Sequence, residues 1–286
     1  MNDIHIVTVA TESKYYFEYL KKSCENNGKN LEILGYNEQW KGFSWRFELM
    51  LNYLKNLNPD DIVCFIDGYD VICIRDLKNL KDEFLKIKSR EKCKIIVGLE
   101  IQIEIKSKIA ALLLFGKCKN LSINAGTYIG YVKDIYEILL NTYNLNRDVK
   151  ADDQLLLTKY CNINENDIYI DKYSELFLTI VYENKEIDEF IKIDKNVVIY
   201  NNSKPFFIHG PSGTYLDNII IKLGYEYNYN NKIKDLLLEN FLTKKKEQIL
   251  NHIYQNKELI YIIILLLILI IILYKKYYLQ KSMFDV

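Results

Sequence analysis

Residues 60–71 read Asp60-Asp61-Ile62-Val63-Cys64-Phe65-Ile66-Asp67-Gly68-Tyr69-Asp70-Val71. Five apolar residues in a row, bracketed by acids, are the pattern of a central strand buried on both faces. Such a strand belongs to an open, mostly parallel α/β sheet, and in those sheets ligands bind beyond the carboxyl ends of the strands. Asp67 and Asp70 stand at that end. Gly68 permits a tight turn between them, so both carboxylates can converge on one hard cation such as Mg²⁺ or Mn²⁺. Paired acids at a strand end can hold the metal that neutralises a diphosphate leaving group. Acids are also ordinary in turns, so the stretch alone leaves a structural role open.

Outward from this strand, strand and helix patterns alternate, as an open α/β sheet requires. Residues 4–10 and 31–34 read as strands. Between them Tyr15, Tyr16, Tyr19, Leu20 and Cys24 recur at helical spacing before Gly28. Trp45, Leu49, Tyr53, Leu54 and Leu57 mark a second helix, stopped by Asn58-Pro59-Asp60. Further helices are predicted over residues 76–89, 135–143 and 153–160, and strands over 94–97, 128–132 and 206–208.

Hydrophobic residues at 49% and charged residues at 27% make this a globular chain. The formal net charge of zero supplies no field that would recruit nucleic acid. The cysteines at 24, 64, 73, 93, 118 and 161 form no C-x-x-C pair. They predict neither a zinc cluster nor a disulfide framework, and Cys64 and Cys73 read as small core hydrophobes. The first nine residues read as a strand, not as a signal peptide. Residues 259–274 are apolar and uncharged, with Lys257, Lys275 and Lys276 beside them. Slightly short of the usual ~20 residues, the run predicts one membrane-spanning helix whose flanking lysines snorkel. The predicted organisation is a catalytic domain over 1–223, a terminal helix and connector over 224–257, an anchor over 258–279 and a tail over 280–286. With no leading signal and scattered cysteines, the catalytic domain is expected on the cytosolic side.

Three other stretches could carry chemistry. Asp152-Asp153-Gln154 opens a predicted helix, where acids also serve simply to cap free N–H groups. In Phe206-Phe207-Ile208-His209-Gly210-Pro211-Ser212-Gly213 a histidine leaves an apolar strand for a glycine-rich turn, as a metal ligand, a phosphate contact or a structural residue could. Asn124-Ala125-Gly126-Thr127-Tyr128-Ile129-Gly130 is a small-residue approach to a strand, where backbone can lie close to a ligand.

Taken in order, these stretches resemble the glycosyltransferase domain of the procollagen lysyl hydroxylases, over about residues 4–223. Thr8-Val9-Ala10-Thr11 matches that family's first strand and nucleotide-binding turn, and Trp40 falls where the family places a tryptophan on the uracil of a UDP-sugar. Asp67-Gly68-Tyr69-Asp70-Val71 is similar to its D-x-Y-D-V metal motif, with Tyr69 on the nucleotide. Residues 124–130 resemble its N-S-G-G-F-I-G, and Asp152-Asp153-Gln154-Leu155 its D-D-Q-L/F on the donor-sugar and acceptor side. Ile208-His209-Gly210 resembles its I/V-H-G-N-G, in which the histidine completes the metal site.

The resemblance implies a GT-A fold, a divalent cation (Mn²⁺ or Mg²⁺) on Asp67, Asp70 and His209, and a UDP-hexose donor, glucose or galactose. It implies nucleotide contacts from Thr11, Trp40 and Tyr69, with Asn124, Gly126 and Gly210 lining the donor site. Asp152 and Asp153 would orient the sugar or assist a hydroxyl acceptor on protein or glycan, including a hydroxylysine-linked sugar of a collagen-like chain. Lys41-Gly42-Phe43-Ser44-Trp45-Arg46 replaces a glycine-rich G-G-G-Q-K loop, with Arg46 standing in for the lysine at the diphosphate. Pro211 or Ser212 replaces the asparagine after His-Gly, and Glu100 aligns only loosely with the family's acids after the fourth strand. Two rivals share these residues. One is a phosphatase or nucleotidyltransferase, although the D-x-D-x-T of haloacid-dehalogenase phosphatases is not met. The other is a nucleotide-sugar-binding membrane protein without turnover. No histidine here begins the H-x-D of an iron-dependent hydroxylase.

Overall fold

The computed structural model describes residues 3–194 and 197–227. The chain opens with β1 (Ile4–Val9), α1 (Phe17–Asn26), β2 (Leu31–Leu34), α2 (Trp45–Leu54) and β3 (Ile62–Ile66). Every residue of β3 is buried, as its unbroken apolar run predicts. After β4 (Val71–Cys73), Asp76 caps a short 3₁₀ turn by accepting from the Lys78 amide at 3.0 Å. α3 (Leu80–Glu91) therefore starts later than the predicted helix. β5 (Ile95–Gln102), α4 (Ile105–Phe115), β6 (Ile123–Tyr131), α5 (Val132–Leu145) and α6 (Asp153–Ile163) follow. The described part ends with β7 (Ile168–Asp171), β8 (Phe177–Val181), β9 (Lys192–Asp194), β10 (Val197–Ile199), β11 (Phe207–His209) and α7 (Asp217–Lys222).

The main sheet runs β2-β1-β3-β6-β5-β8-β11-β4, with β7 beside β5. The β1–β2, β1–β3, β5–β7, β5–β8 and β8–β11 pairs are parallel. β6 runs against both β3 and β5, and β4 against β11. This is the predicted open, mostly parallel sheet, with β9 and β10 paired separately. Only residues 67–70 separate β3 from β4, yet β3 is third and β4 last in the strand order. The sheet must curl to bring its far edge back to its middle, and the turn that closes the curl carries Asp67 and Asp70.

β5 makes this curl possible. Its first half pairs with β6 and β7 and its second half with β8, with a register shift at Val97/Gly98. A Cβ at Gly98 would run into the Thr127 hydroxyl, so the glycine admits the neighbouring strand where the pairing changes. The sequence reading ended this strand at Val97. Likewise β6 begins at Ile123, so residues 124–130 form the strand itself and not its approach.

The cysteines require a correction. Cys118 and Cys161 form a disulfide, with Cα atoms 6.0 Å apart, tying the segment before β6 to α6. Their separation of 43 residues carries no motif, which is why spacing did not show the pair. Cys24, Cys64, Cys73 and Cys93 are free and buried, as core thiols. The cytosolic expectation thereby loses the support it drew from unpaired cysteines. Among the described residues no helix is long and apolar enough to cross a membrane. The predicted anchor at 258–279, the tail and nearly all of the connector lie outside the described residues.

Candidate active site

Asp67 is the first residue beyond β3, Asp70 the last before β4, and His209 the last of β11. Backbone bonds lock the three together. The Asp67 amide donates to the Gly126 carbonyl at 2.8 Å, and the Gly210 amide to the Asp70 carbonyl at 2.9 Å. One potential ligand atom from each side chain lies within 4.8 Å of the others. His209 Nε2 is 3.1 Å from Asp70 Oδ1 and 3.7 Å from Asp67 Oδ2. The imidazole is only 1% exposed, yet neither ring nitrogen has an aligned hydrogen-bond partner. Burial alone would lower the His209 pKa, but the carboxylates of Asp70, Asp67 and Glu100 raise it overall.

A buried imidazole facing two carboxylates with no aligned hydrogen bond is a suitable donor set for a divalent cation. Gly126 supports this fit. A Cβ there would come within 2.7 Å of His209 Cε1 and would collide with the Asp67 carboxylate, so glycine is what leaves room for the cluster. The residues present therefore fit Mn²⁺ or Mg²⁺.

Arg46 occupies a place the sequence did not suggest. Its guanidinium is buried and donates from Nη1 to Asp67 and from Nη2 to Asp153. The rings of Phe43 and Phe65 lie 5.7 and 5.9 Å from its Cζ. Here Arg46 pairs two carboxylates, in addition to whatever it offers a diphosphate. Burial opposes its charge, but Asp153 and Asp67 outweigh that and raise its pKa. The loop before it is fastened down. The Ser44 amide donates to the Val149 carbonyl at 3.1 Å and the Ser44 hydroxyl to the Ala151 carbonyl at 3.0 Å. Gly42, at φ 137°, has no room for a Cβ against the backbone of Val149 and Lys150.

The two adjacent aspartates divide. Asp152 is the N-cap of α6, its Oδ1 accepting from the Leu155 amide at 2.8 Å, as the capping alternative expected. Asp153 faces inward to Arg46. Burial pushes its carboxyl up to about 7; Arg46 pulls it down, and Asp152 and Asp67 add to the rise.

Among the residues expected at the nucleotide, the Tyr69 hydroxyl accepts from the Thr11 amide at 2.8 Å and lies 3.3 Å from the Thr11 hydroxyl. Lys14 sits over the Tyr69 ring, 4.9 Å from its centroid. Trp40 is 43% exposed, and the rings of Phe43 and Trp45 stand nearly perpendicular to it with centroids 5.6 and 5.8 Å away.

A polar network around Glu100 completes the site; Asn124 and Gly126 were expected there, whereas the part of Glu100 and Gln102 was missed. Glu100 accepts at Oε2 from Asn124 at 3.0 Å and Gln154 at 3.1 Å, and at Oε1 from Gln102 at 2.8 Å. Asn124 Oδ1 in turn accepts from the Gly126 amide at 2.9 Å, which joins this network to the Asp67–Asp70–His209 cluster. The available signal was alternation: Glu100 and Gln102 are polar at every second position at the end of an apolar strand.

A curled, mostly parallel α/β sheet with this site beyond its strand ends fits the GT-A class of glycosyltransferases. The family model described as "PLOD GT domain" matches residues 1–235, and the chain belongs to this family of glycosyltransferase domains. It is 26% identical over 248 residues to a multifunctional procollagen lysine hydroxylase and glycosyltransferase of Caenorhabditis elegans, covering 79% of this chain and 33% of that protein. It is 25% identical to a procollagen-lysine,2-oxoglutarate 5-dioxygenase of Drosophila melanogaster, covering 72% and 30% of the two chains. Against the human multifunctional enzyme LH3 it is 26% identical, covering 78% and 31%. The chain thus spans about a third of the length of the curated relatives it matches.

Proposed function

We propose that the chain is a metal-dependent hexosyltransferase that moves glucose or galactose from a UDP-sugar to a hydroxyl acceptor on protein or glycan, a hydroxylysine-linked sugar of a collagen-like chain among them. The observation that carries this reading is the buried His209, held beside Asp67 and Asp70 with neither ring nitrogen in an aligned hydrogen bond, in a glycosyltransferase-domain family member. When bound, Mn²⁺ or Mg²⁺ supplies Lewis-acid neutralisation of the departing diphosphate. Asp67, Asp70 and His209 would hold it. Tyr69, fixed by Thr11, and the exposed Trp40 would bind the uridine by stacking. Asn124, Gly126 and Gly210 would bound the donor sugar. Arg46 holds Asp67 and Asp153 at a fixed separation and adds positive charge near the diphosphate. Asp153, whose carboxyl is pushed up by burial, would take a proton from an acceptor hydroxyl, while Asp152 fixes the start of its helix.

Arg46 also favours a second reading. A guanidinium that already neutralises Asp67 competes with a cation for it, as in a nucleotide-sugar-binding protein without turnover. Hydrolysis and transfer from UDP-glucose and UDP-galactose, with Mn²⁺ or with chelator, separates the two. Metal-dependent release of UDP supports the transferase. Binding of UDP without release under any metal condition overturns it.

Residues 258–279 would anchor the chain in a membrane. Protease treatment of intact microsomes tests the side: digestion to a membrane stub supports the cytosolic orientation, and a protected catalytic domain, which suits the Cys118–Cys161 bond, overturns it.

A further inference from the structure

α4 presents its bulk outward. Ser107 and Ala111 are buried beneath it, while Ile105, Ile109, Leu112 and Leu113 are 74%, 54%, 50% and 66% exposed. At 3.6 residues per turn these four fall on one arc of the helix, and Lys106 and Lys108 flank that arc on either side. Lys106 reaches Glu104 at 3.1 Å and Glu183 at 3.5 Å along one edge. A helix that merely covers a sheet turns its large apolar residues inward. This one gives the sheet its small residues and keeps a continuous aliphatic patch outside.

We infer that the 105-109-112-113 face of α4 lies on an anionic lipid surface. An apolar arc flanked by lysines is the pattern of a helix lying in the interface, where lysine stems cover hydrocarbon and ammonium groups reach the headgroups. Lys108 supplies this on one side, and on the other Lys106 shares its charge with Glu104 and Glu183. The alternatives fit less well. Protein interfaces favour aromatic and arginine anchors, and none lies on this arc. A peptide acceptor needs directional polar groups, and the arc itself is aliphatic throughout. The inference rests on the proposed anchor at 258–279 only for bringing the domain to the bilayer. α4 follows β5 and packs against α6, the elements carrying Glu100 and Asp153. The lipid contact would thus fix how the site stands above the membrane.

The test uses the full chain carrying an environment-sensitive nitrobenzoxadiazole label on Leu113→Cys, or on Tyr173→Cys as an exposed control away from α4. The native free cysteines are buried and should stay unlabelled. The probe is a phosphatidylcholine vesicle with or without phosphatidylserine, and flotation reports the anchor separately. With phosphatidylserine, the label at 113 should brighten, shift to the blue and be quenched by a lipid nitroxide near the headgroup, and the label at 173 should do none of these. Lys106→Gln with Lys108→Gln should weaken the response to phosphatidylserine vesicles on the order of tenfold. A silent label at 113 on a chain that floats overturns the inference and leaves the anchor standing. If the chain neither floats nor responds, both fall. A response at 113 without vesicles, on raising the protein concentration or adding an acceptor peptide, assigns the face to a second copy or to the acceptor and also overturns it.

Discussion

Replacing Gly126 by alanine separates metal binding from folding, because the space it fills belongs to two of the proposed metal ligands, Asp67 and His209. The new Cβ would sit 2.7 Å from His209 Cε1 and closer still to the Asp67 carboxylate. Ordinary carbon contacts lie at about 3.5–4.0 Å, so the neighbours must yield by about an ångström. Asp67 is held by its amide on the Gly126 carbonyl and by Arg46, and His209 is almost wholly buried. Overpacking of this kind costs about 1–3 kcal/mol. Ligand groups must stay within about 0.5 Å of their working geometry. Disturbing the support of a metal ligand typically lowers affinity roughly 10–100-fold.

Thermal unfolding with and without Mn²⁺ reads both effects. At about 100 times its dissociation constant, Mn²⁺ should stabilise the unaltered chain by about 2.7 kcal/mol, and a site weakened about 100-fold should gain only about 0.4 kcal/mol. Each kcal/mol moves the midpoint by about 2–4 °C in a domain of this size. Gly130→Ala is the control on the same strand. Its Cβ would come within 2.7 Å of Ile95 Cγ2 and 3.0 Å of Ile135 Cγ1, both apolar, so it should lose stability and keep the full Mn²⁺ gain. The reasoning fails if Gly126→Ala retains the whole metal-induced shift, or if the unaltered chain shows none.

Asp67→Ala and Asp70→Ala should each abolish Mn²⁺-dependent release of UDP with the fold retained by circular dichroism, and near-normal turnover in both would remove the metal assignment. Arg46→Met should destabilise the chain by about 3–5 kcal/mol in urea titration, because it leaves Asp67 and Asp153 without their shared cation. Cys118→Ser should cost roughly 4 kcal/mol by loop-closure entropy, and the same loss should follow from reductant alone. Burial pushes Asp171 up to about 6 against three backbone N–H donors, so the folded state holds a proton the unfolded chain releases. That contribution is complete below the ordinary carboxylate range and lost as pH rises to about 6, so Asp171→Asn should flatten stability across that window.

The fold was legible where periodicity was unbroken. β2 and β3 match the ranges read from Leu31–Leu34 and Ile62–Ile66, because apolar runs ending in turn residues have one reading. β5 was cut short at Val97 because Gly98 resembles a breaker until Thr127 is seen lying against it. α4 was missed altogether. In Lys106-Ser107-Lys108-Ile109-Ala110-Ala111-Leu112-Leu113 the apolar residues mark the exposed side, so a reading that assigns them to the core finds no consistent face.

The proposed metal ligands were readable because each stands at a strand terminus, and a strand terminus has a definite place in an open sheet. What surrounds them was not, since Arg46–Asp153 and Cys118–Cys161 join segments 107 and 43 residues apart that only the packing of the helices on the sheet brings together. Asp152 and Asp153 show this limit at its finest. Both are acids at a helix start, and both readings of the pair were chemically sound. The backbone separates them. Asp152 lies before the first turn in extended conformation, which returns its carboxylate to the free Leu155 amide. Asp153 is one residue further, about 100° around the helix, and so faces the interior and Arg46. Two identical residues acquire different partners from that rotation. Asp152→Ala should therefore cost about 1 kcal/mol of stability as a lost cap, whereas Asp153→Ala leaves Arg46 half-paired and acts on turnover.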